Sequence, residues 1–190
     1  MDFRIFLLDP ETSEFAGIAE KFFKTMPNAE IMSIEKIQNR ELWQKYSDRE
    51  QQIRNEPQNC GEKLLFHGTR DTDPKEIYKG DSSFDIKFAN DGMWGKGNYF
   101  AVNASYSNSF AHSVRGTGMK NLLVAFVLTG LSYYSNPDRS LTKPPYRSEQ
   151  DDPSSIRRRY HSVNGVTGGS TVYITYDNTL AYPAYVITYR

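Results

Sequence analysis

Residues 64–69 hold the side chains whose types and spacing could do chemistry in this sequence. Three apolar residues run directly into His67, Gly68 and Thr69, which is typical of a buried strand that ends at a site rather than in a turn. Gly68 lets a ligand approach the backbone closely, so its N–H and C=O form a donor–acceptor pair between two polar side chains. The alternative interpretation is a core strand that ends in a hydrogen-bonded histidine.

Several other catalytic patterns do not occur in the sequence. Residues 95–98 have the sequence Gly-Lys-Gly-Asn, which lacks the Gly-Lys-Ser/Thr of a P-loop, and there is no Rossmann glycine fingerprint. The three histidines and Cys60 show no metal-ligand spacing, so we expect no metal site. A serine hydrolase would need a Gly-x-Ser-x-Gly elbow, which is also missing. The three arginines at 157–159 are most simply a solvated face, with an acidic or nucleic-acid partner as the alternative.

Size and composition favour one intracellular domain over residues 1–190. Lys and Arg together number 23, as do Asp and Glu, so no net charge points to nucleic acid or to a membrane surface. The single Cys60 excludes an internal disulfide framework and indicates a reducing compartment. The longest apolar run, 122–128, is too short to cross a bilayer, and the N-terminus has no signal-peptide pattern. We therefore expect a monomer that does not bind membranes.

Hydrophobic periodicity and capping signals place helices mainly in the first third of the chain and strands in the rest. Helices are predicted at 11–25 after Asp9-Pro10, after Asn39, between Asp73-Pro74 and Gly80, and after Asn103. Strands are predicted at 31–38, in the run into His67, and at 84–88, 98–101, 122–131, 171–176 and 184–189. Loops are predicted at 55–62, at 90–98 as a flexible glycine-rich segment, and at 132–170. This distribution favours the α+β class.

Taken together, these motifs resemble the catalytic domain of the poly(ADP-ribose) polymerase family, the diphtheria-toxin-like ADP-ribosyltransferases. The resemblance covers roughly residues 30–190 in the family's order. The motifs that carry it are 37–39 with Leu42, Trp43 and Tyr46, then 65–69, 95–101, 104–107, 127–130, 173–177, and 181–183 with Ile187. The segments 103–107 and 182–189 most resemble the branch of the family that transfers single ADP-ribose units.

The resemblance implies an ADP-ribosyltransferase fold, in which a split antiparallel sheet flanked by helices grips NAD in a groove. His67 would bond the 2′-hydroxyl of the nicotinamide-side ribose, while the Gly68 backbone and the Ser107 hydroxyl would hold the carboxamide. Tyr99 and Phe110 would sandwich the nicotinamide ring, under a loop at 90–95. The full set of expected NAD-binding residues is His67, Gly68, Thr69, Tyr99, Tyr106, Ser107 and Phe110.

One position departs from the pattern of the polymerising members. They carry a Glu immediately before the Tyr-Ile-x-Tyr-Asp strand, where this chain has Val172, which cannot accept a hydrogen bond. The expected catalytic set is therefore His67, Tyr99 and Val172. The resemblance implies transfer of one ADP-ribose from NAD to an acceptor, without a metal and with release of nicotinamide.

Two alternatives stay open on the sequence. The chain could be a catalytically inactive module that binds NAD or ADP-ribose. The acceptor, expected to be a protein side chain, could instead be a nucleic-acid end, for which the arginines at 157–159 are the only support.

Overall fold

A ten-stranded sheet is the frame of the fold in the computed structural model, which describes residues 3–56 and 61–190. In chain order the elements are β1 (Phe3–Leu7), α1 (Ser13–Phe23), β2 (Ile31–Asn39), α2 (Arg40–Arg54), β3 (Glu62–His67), α3 (Pro74–Tyr78), β4 (Asp91–Gly92), β5 (Gly95–Lys96), β6 (Asn98–Ala101), α4 (Ala104–Asn108), β7 (His112–Ser113), β8 (Lys120–Leu128), β9 (Ser132–Tyr134), β10 (Ser162–Thr167), β11 (Ser170–Thr175) and β12 (Ala181–Tyr189). Two 3-10 turns, Ile86–Phe88 and Asn178–Leu180, lie between them. Residues 57–60 of the loop predicted at 55–62, which include Cys60, lie outside the described residues, as do residues 1 and 2.

The strand order of the large sheet is β1-β2-β12-β8-β3-β6-β11-β10-β9, with β7 paired to β8, while β4 and β5 form a separate hairpin. Neighbouring strands are antiparallel throughout, apart from the parallel pair β9 and β10. A large antiparallel sheet with a few helices on its faces confirms the predicted α+β class.

The large sheet is split between β3 and β6. These two strands share one register pair, Phe66 with Ala101, whereas β3 and β8 are paired along the whole length of β3. The sheet therefore consists of two halves, β1-β2-β12-β8-β3 and β6-β11-β10-β9, held together at one point of backbone pairing. The split antiparallel sheet that the family resemblance implied is confirmed.

The hydrophobic core is centred on β8 and β12, the adjacent inner strands of the larger half-sheet. Residues 122–125 of β8 are fully buried, so this apolar run is covered on both faces of the sheet, as predicted. Helix α1 covers one face with Phe22, whose ring centroid lies 5.0 Å from that of Tyr189 and 6.4 Å from that of Phe66. This packing joins the amphipathic α1 to both β12 and β3.

Two of the predicted helix starts are confirmed in detail. The Asn39 side chain caps α2 by accepting the N–H groups of Glu41 and Leu42, and its amide donates to the carbonyl groups of Tyr78 and Gly80. Asn39 therefore also holds the end of α3 against α2. In α3 itself, Pro74 follows the Asp73 cap, as the sequence predicts.

The predicted N-cap of α1 is wrong by three residues, and the helix begins two residues later than predicted. Asp9 accepts the N–H of Glu11 within a turn, and Thr12 is the residue that caps the helix, through the N–H of Phe15. Both Asp9 and Thr12 are good cap residues, and the Asp-Pro pair suggested the earlier of the two.

Three predictions in the middle of the chain and one omission at its start are also corrected. Residues 84–88 do not form a strand, because Asp85 accepts the N–H of Lys87 and distant Asn178 accepts the N–H of Ile86, which closes a 3-10 turn. The segment 90–98 forms the β4–β5 hairpin rather than a flexible loop. The segment 132–170 contains the whole of β9 and β10, and β1 was not predicted from the sequence.

No helix within the described residues 3–56 and 61–190 is long and apolar enough to cross a bilayer.

Candidate active site

The strands β3 and β6 stop pairing after Phe66 and Ala101, and we call the region between the diverging strands the cleft. If the pairing continued, His67 would face Phe100 and Gly68 would face Tyr99. Instead the His67 side chain takes over the contact, with its Nδ1 lying 2.7 Å from the carbonyl oxygen of Tyr99. The backbone of Gly68 therefore lies outside the strand pairing at the point where the sequence predicted a site, whereas Tyr99 stays paired with Ile174 of β11.

The contacts of His67 fix which of its nitrogen atoms carries the proton. A carbonyl oxygen can only accept a hydrogen bond, so Nδ1 must be protonated and Nε2 is left with a lone pair. Burial lowers the pKa of the His67 imidazole below its ordinary value, although the bond to the Tyr99 carbonyl acts in the opposite direction. The ring packs edge-on against Phe84 and tilted against Phe100, at centroid distances of 5.0 and 5.3 Å. His67 therefore presents a neutral, oriented acceptor.

Gly68 is required by packing as well as by its place at the cleft. A Cβ atom at this position would lie 2.4 Å from the carbonyl oxygen of Phe110 and 2.7 Å from that of Ser107, closer than any side chain is tolerated. The N–H of Arg70 donates to the same Phe110 carbonyl at 2.8 Å. The end of β3 is thus pressed directly against the chain that leaves α4. Gly68 itself lies beyond the last register pairs of β3 with β8 and with β6.

Helix α4 and the residues after it form the wall opposite Gly68. Ser107 is buried, and its hydroxyl donates to the carbonyl of Phe66 at 3.1 Å, which leaves oxygen lone pairs that can accept. The rings of Tyr106 and Phe110 are in edge contact, with centroids 5.3 Å apart. Asn103 occupies the N-cap position, as predicted, but its side chain makes no capping bond and donates to the carbonyl of Gly169 instead.

The hydroxyl of Tyr99 anchors the β4–β5 hairpin above the cleft. It donates to the carbonyl of Gly95 at 2.7 Å and accepts the N–H of Trp94 at 2.9 Å. Burial raises the pKa of Tyr99 to about 12, so the phenol stays protonated at neutral pH. The two hydrogen bonds of the hydroxyl therefore fix the position of the Tyr99 ring relative to the hairpin.

Trp94 attaches the hairpin firmly to the rest of the domain, which is why the predicted flexible loop is wrong. Its side chain is 1% exposed, and its indole N–H donates to the carbonyl of Ser135. The Tyr176 hydroxyl donates to the Trp94 carbonyl at 2.6 Å. Sequence reasoning did not identify Trp94 as part of the site. The available signal was a large aromatic residue inside a polar, glycine-rich segment.

Val172 lies on β11, and the order β3-β6-β11 places His67, Tyr99 and Val172 on three adjacent strands. Val172 pairs with Ala101, is fully buried, and belongs to the apolar cluster of Trp94 and Ile174. The three residues of the predicted catalytic set thus lie on adjacent strands beside the split, and Val172 lies two residues along β11 from the partner of Tyr99. Their joint role in catalysis stays a prediction.

The Thr69 hydroxyl, also predicted to bind the cofactor, donates to the carbonyl of Thr72 at 2.6 Å within a turn. Its role at the site stays a prediction. Arg70, which sequence reasoning did not identify, places its guanidinium 4.6 Å from the ring centroid of Phe110. Its carbonyl also lies 2.8 Å from His112 Nδ1. Arg70 therefore packs against the wall residue Phe110.

Residues 12–190 match the family model described as the poly(ADP-ribose) polymerase catalytic domain. The chain belongs to this PARP catalytic-domain family.

Known relatives of this PARP domain cover nearly all of it. A probable poly [ADP-ribose] polymerase of Dictyostelium discoideum is 36% identical over 185 residues, which are 94% of the chain and 50% of that relative. Human protein mono-ADP-ribosyltransferase PARP14 is 31% identical over 100% of the chain and 10% of its own length. Mouse protein mono-ADP-ribosyltransferase PARP11 is 27% identical over 99% of the chain and 61% of its own length. The chain thus spans between a tenth and about three fifths of the length of these relatives.

The arginine run of the PARP domain is more than the solvated face that the sequence predicted. The guanidinium groups of Arg157 and Arg159 lie 4.0 and 3.9 Å from the ring centroid of Tyr146, and Arg158 pairs with Asp152 at 3.0 Å. All three arginines therefore make contacts within the domain.

Within residues 3–56 and 61–190, no cluster of three or more His, Cys, Asp or Glu side chains could hold a metal ion.

Proposed function

We propose that this chain transfers a single ADP-ribose unit from NAD to an acceptor and releases nicotinamide. The observation that supports the proposal is the placement of His67, Tyr99 and Val172 on three adjacent strands beside the split of the sheet. Membership of the PARP catalytic-domain family supports NAD as the co-substrate. The names of the PARP14 and PARP11 relatives support transfer of single units to protein acceptors.

The proposed NAD contacts follow from the chemistry of the cleft. His67 Nε2 can accept the proton of the 2′-hydroxyl of the nicotinamide-side ribose, because Nδ1 is committed to the Tyr99 carbonyl. The freed backbone of Gly68 and the Ser107 hydroxyl suit the carboxamide, which both donates and accepts. Tyr99 and Phe110 suit a flat, cationic ring, with Thr69 and Tyr106 beside them.

The proposed reaction breaks the bond between ribose C1′ and the nicotinamide nitrogen. The bonding electron pair leaves with neutral nicotinamide, and positive charge develops on the ribose. An acceptor oxygen then bonds to C1′ and loses its proton to solvent. His67 and the aromatic walls would orient the ribose and the leaving group and exclude water, which favours this step over the same reaction in solution.

Val172 supports a product of one unit per acceptor site. Elongation requires a group that binds the hydroxyl of an attached ADP-ribose and stabilises the adjacent positive charge. A fully buried valine supplies neither a hydrogen-bond acceptor nor a charge. The name of the Dictyostelium relative mentions a polymerase. A gel of the modified acceptor distinguishes single units from polymer chains.

The test uses NAD labelled separately in the nicotinamide and in the adenylate. We expect nicotinamide release together with transfer of the adenylate label to protein, as discrete bands without a ladder. A high-molecular-weight smear that a poly(ADP-ribose) glycohydrolase collapses would contradict the single-unit proposal. Stoichiometric NAD binding without nicotinamide release, with any acceptor, would instead support the alternative of an inactive NAD- or ADP-ribose-binding module.

Further proposals concern the setting of the activity. We propose that residues 1–190 act as one domain and as a monomer, in an intracellular compartment that suits the single cysteine. The acceptor is proposed to be a protein side chain. A nucleic-acid end is disfavoured because the arginines at 157–159, its only support, make contacts within the domain.

A further inference from the structure

A second cavity of about 350 Å³ lies between the end of α2, residues 143–147, residues 158–161 and the start of the 3-10 turn before β12. We call it the arginine cavity, because its lining includes Arg49, Lys143, Arg147, Arg158 and Arg159. His67, Gly68 and Tyr99 are not among its lining residues, so it is separate from the cleft described above. Its size is at the lower end of the range for small-molecule sites.

The lining of the arginine cavity carries an excess of positive charge. Five cationic side chains of the lining are partly balanced by three carboxylates, those of Glu56 and Asp177 in the lining and that of Asp152, which pairs with Arg158 and Arg147. Of these carboxylates, two belong to the lining itself. Both carboxylates have partners: Glu56 bonds Arg147 and His161, and Asp177 accepts from the N–H and the hydroxyl of Thr179.

His161 adds no charge to this balance. Its Nδ1 accepts the N–H of Leu131 at 2.9 Å, so its proton lies on Nε2, which is 3.1 Å from Glu56 Oε2. Burial also holds the pKa of His161 below its ordinary value. The cavity therefore keeps its positive excess at neutral pH.

Two buried N–H donors of the lining have no hydrogen-bond partner among the described residues. The Arg147 side chain is 1% exposed, and its Nη1 makes no hydrogen bond, with Asp152 Oδ2 at 3.6 Å as an ion-pair contact only. The Nε atom of Arg49 is also buried and makes no hydrogen bond, and Asp177 Oδ2 lies 3.9 Å from it as an ion-pair contact only. Buried guanidinium donors are costly to leave unsatisfied, so such groups are normally met by ordered water or by a ligand.

We propose that the arginine cavity binds the phosphate group of a small phosphorylated molecule. Guanidinium groups match phosphate oxygens with paired, charge-assisted bonds, and phosphate has enough oxygens to engage several of them at once. The rest of the lining includes Pro144, Tyr160 and Leu180, which suit an organic group next to the phosphate. This site is additional to the proposed transfer activity and does not depend on it.

The test measures binding of two probes, inorganic phosphate and phenyl phosphate, to the whole chain by calorimetry at constant ionic strength. Arg49→Gln and Lys143→Gln remove donors that are less buried than Arg147 and make few structural contacts. The matched controls are Arg115→Gln and Lys24→Gln, which change exposed cations that are not part of the cavity lining. We expect each cavity variant to weaken phosphate binding by roughly tenfold and the controls to leave it unchanged. Circular dichroism checks that each variant folds.

Amide chemical shifts locate the bound probe. Shifts confined to residues 143–147 and 158–161 support the proposal, whereas shifts centred on residues 66–70 would place phosphate in the cleft and overturn it. Tighter binding of phenyl phosphate than of inorganic phosphate identifies an organic phosphate as the ligand class, and the reverse order identifies the free ion. No heat and no shifts with either probe at millimolar concentration, or equal loss in the control variants, would show that water satisfies these donors.

Discussion

His67 has one side chain nitrogen fixed by the fold and the other left for chemistry. The Tyr99 carbonyl holds the proton on Nδ1, and burial keeps the imidazole neutral. A neutral ring is the form that can accept a ribose hydroxyl, while a protonated ring can only donate. The protonation state of this residue is therefore tied directly to the proposed activity.

The pH dependence follows from the lowered pKa of His67. Nicotinamide release should stay level as the pH falls from about 8 to about 6.5, the ordinary value for histidine, and decline only below it. His67→Ala should weaken NAD binding or turnover by about 1–3 kcal/mol. A pH–rate profile checks the first point, with folding followed at each pH. His112→Ala is the control. If nicotinamide release by both the wild type and His112→Ala began to decline well above pH 6.5, the lowered pKa of His67 would be contradicted.

The same shift predicts a change in stability. The unfolded chain takes up a proton on His67 near pH 6.5, while the folded chain does so only at lower pH. The free energy of unfolding should therefore fall as the pH drops below about 6.5 towards the folded pKa, and His67→Ala should remove that part of the loss. Denaturant titrations at several pH values measure the difference.

Val172→Glu tests how apolar the third position of the predicted catalytic set is. The side chain of Val172 is fully buried, so a carboxylate there would lose hydration, and its pKa would rise. We expect a loss of about 1–3 kcal/mol in the free energy of unfolding that grows as the pH rises from about 5 to about 8, since the charged form is the penalised one. Val172→Gln has nearly the same shape without the charge, so its loss should not depend on pH. Equal pH dependence in the two variants would show that position 172 is solvated.

At the scale of elements, the contact between β3 and α4 depends on the missing side chain of Gly68. Gly68→Ala would place a Cβ 2.4 Å from the Phe110 carbonyl oxygen, so the backbone must move, and the protein should be destabilised by about 1–3 kcal/mol. Gly17→Ala is the matched control, because this residue lies within α1 with nothing within 4 Å of the added atom. That change should stabilise by about 0.5–1 kcal/mol. Chemical denaturation of both variants gives the comparison.

The β4–β5 hairpin should depend on Trp94 in the same way. Trp94→Phe removes the indole bond to Ser135 and some packing, so we expect a loss of about 1–3 kcal/mol and weaker NAD binding through displacement of Tyr99. Trp43→Phe is the control, since Trp43 is 45% exposed and should cost little. Unfolding curves and NAD titrations check both. If Trp94→Phe unfolds earlier but binds NAD normally, the hairpin does not position Tyr99.

Elements whose signals are local could be predicted from the sequence. The caps at Asn39 and Asp73 act on the next few residues, and the apolar run of β8 is buried on both faces wherever it is placed. The 3-10 turn at Ile86–Phe88 could not be predicted, because Asn178 supplies one of its bonds from a distant part of the chain. The pairing of β9 with β10 is likewise non-local, because it joins residues 132–134 to residues 162–164. The polar composition of 132–170 therefore suggested a single long loop.

The site shows the same limit. His67, Tyr99 and Val172 could be found from the strand that ends at a glycine and from the ordered motifs of the family. The attachment of Trp94 to Ser135 and the stacking of Arg70 on Phe110 join segments that no local pattern connects. Sequence therefore indicates candidate positions for the reaction, and the tertiary fold determines which distant residues hold them.

At the scale of the whole molecule, a buried ion-pair network joins the end of α2 to the segment before β10. Arg147 bonds Glu56 and lies near Asp152, and its side chain is 1% exposed. Arg147→Met would leave both carboxylates without this partner, so we expect a loss of about 3–5 kcal/mol in the free energy of unfolding. The control Lys45→Met breaks the exposed pair with Glu41 and should cost less than about 1 kcal/mol. Similar unfolding midpoints for the two variants would contradict a structural role for the buried pair.

The position of β12 in the sheet determines when the sheet can be completed during synthesis of the protein. Although β12 is the last element described in the chain, it lies between β2 and β8, and it is the strand that joins β1 and β2 to the rest of the sheet. During translation, β2 can already pair with β1, and β8 can already pair with β3. The other edge of each strand, which β12 covers in the finished sheet, stays unpaired until β12 has been made. The ribosome must therefore release residues 181–189 before the sheet can close, so a nascent chain of this protein exposes two open sheet edges until translation of the described residues is almost complete.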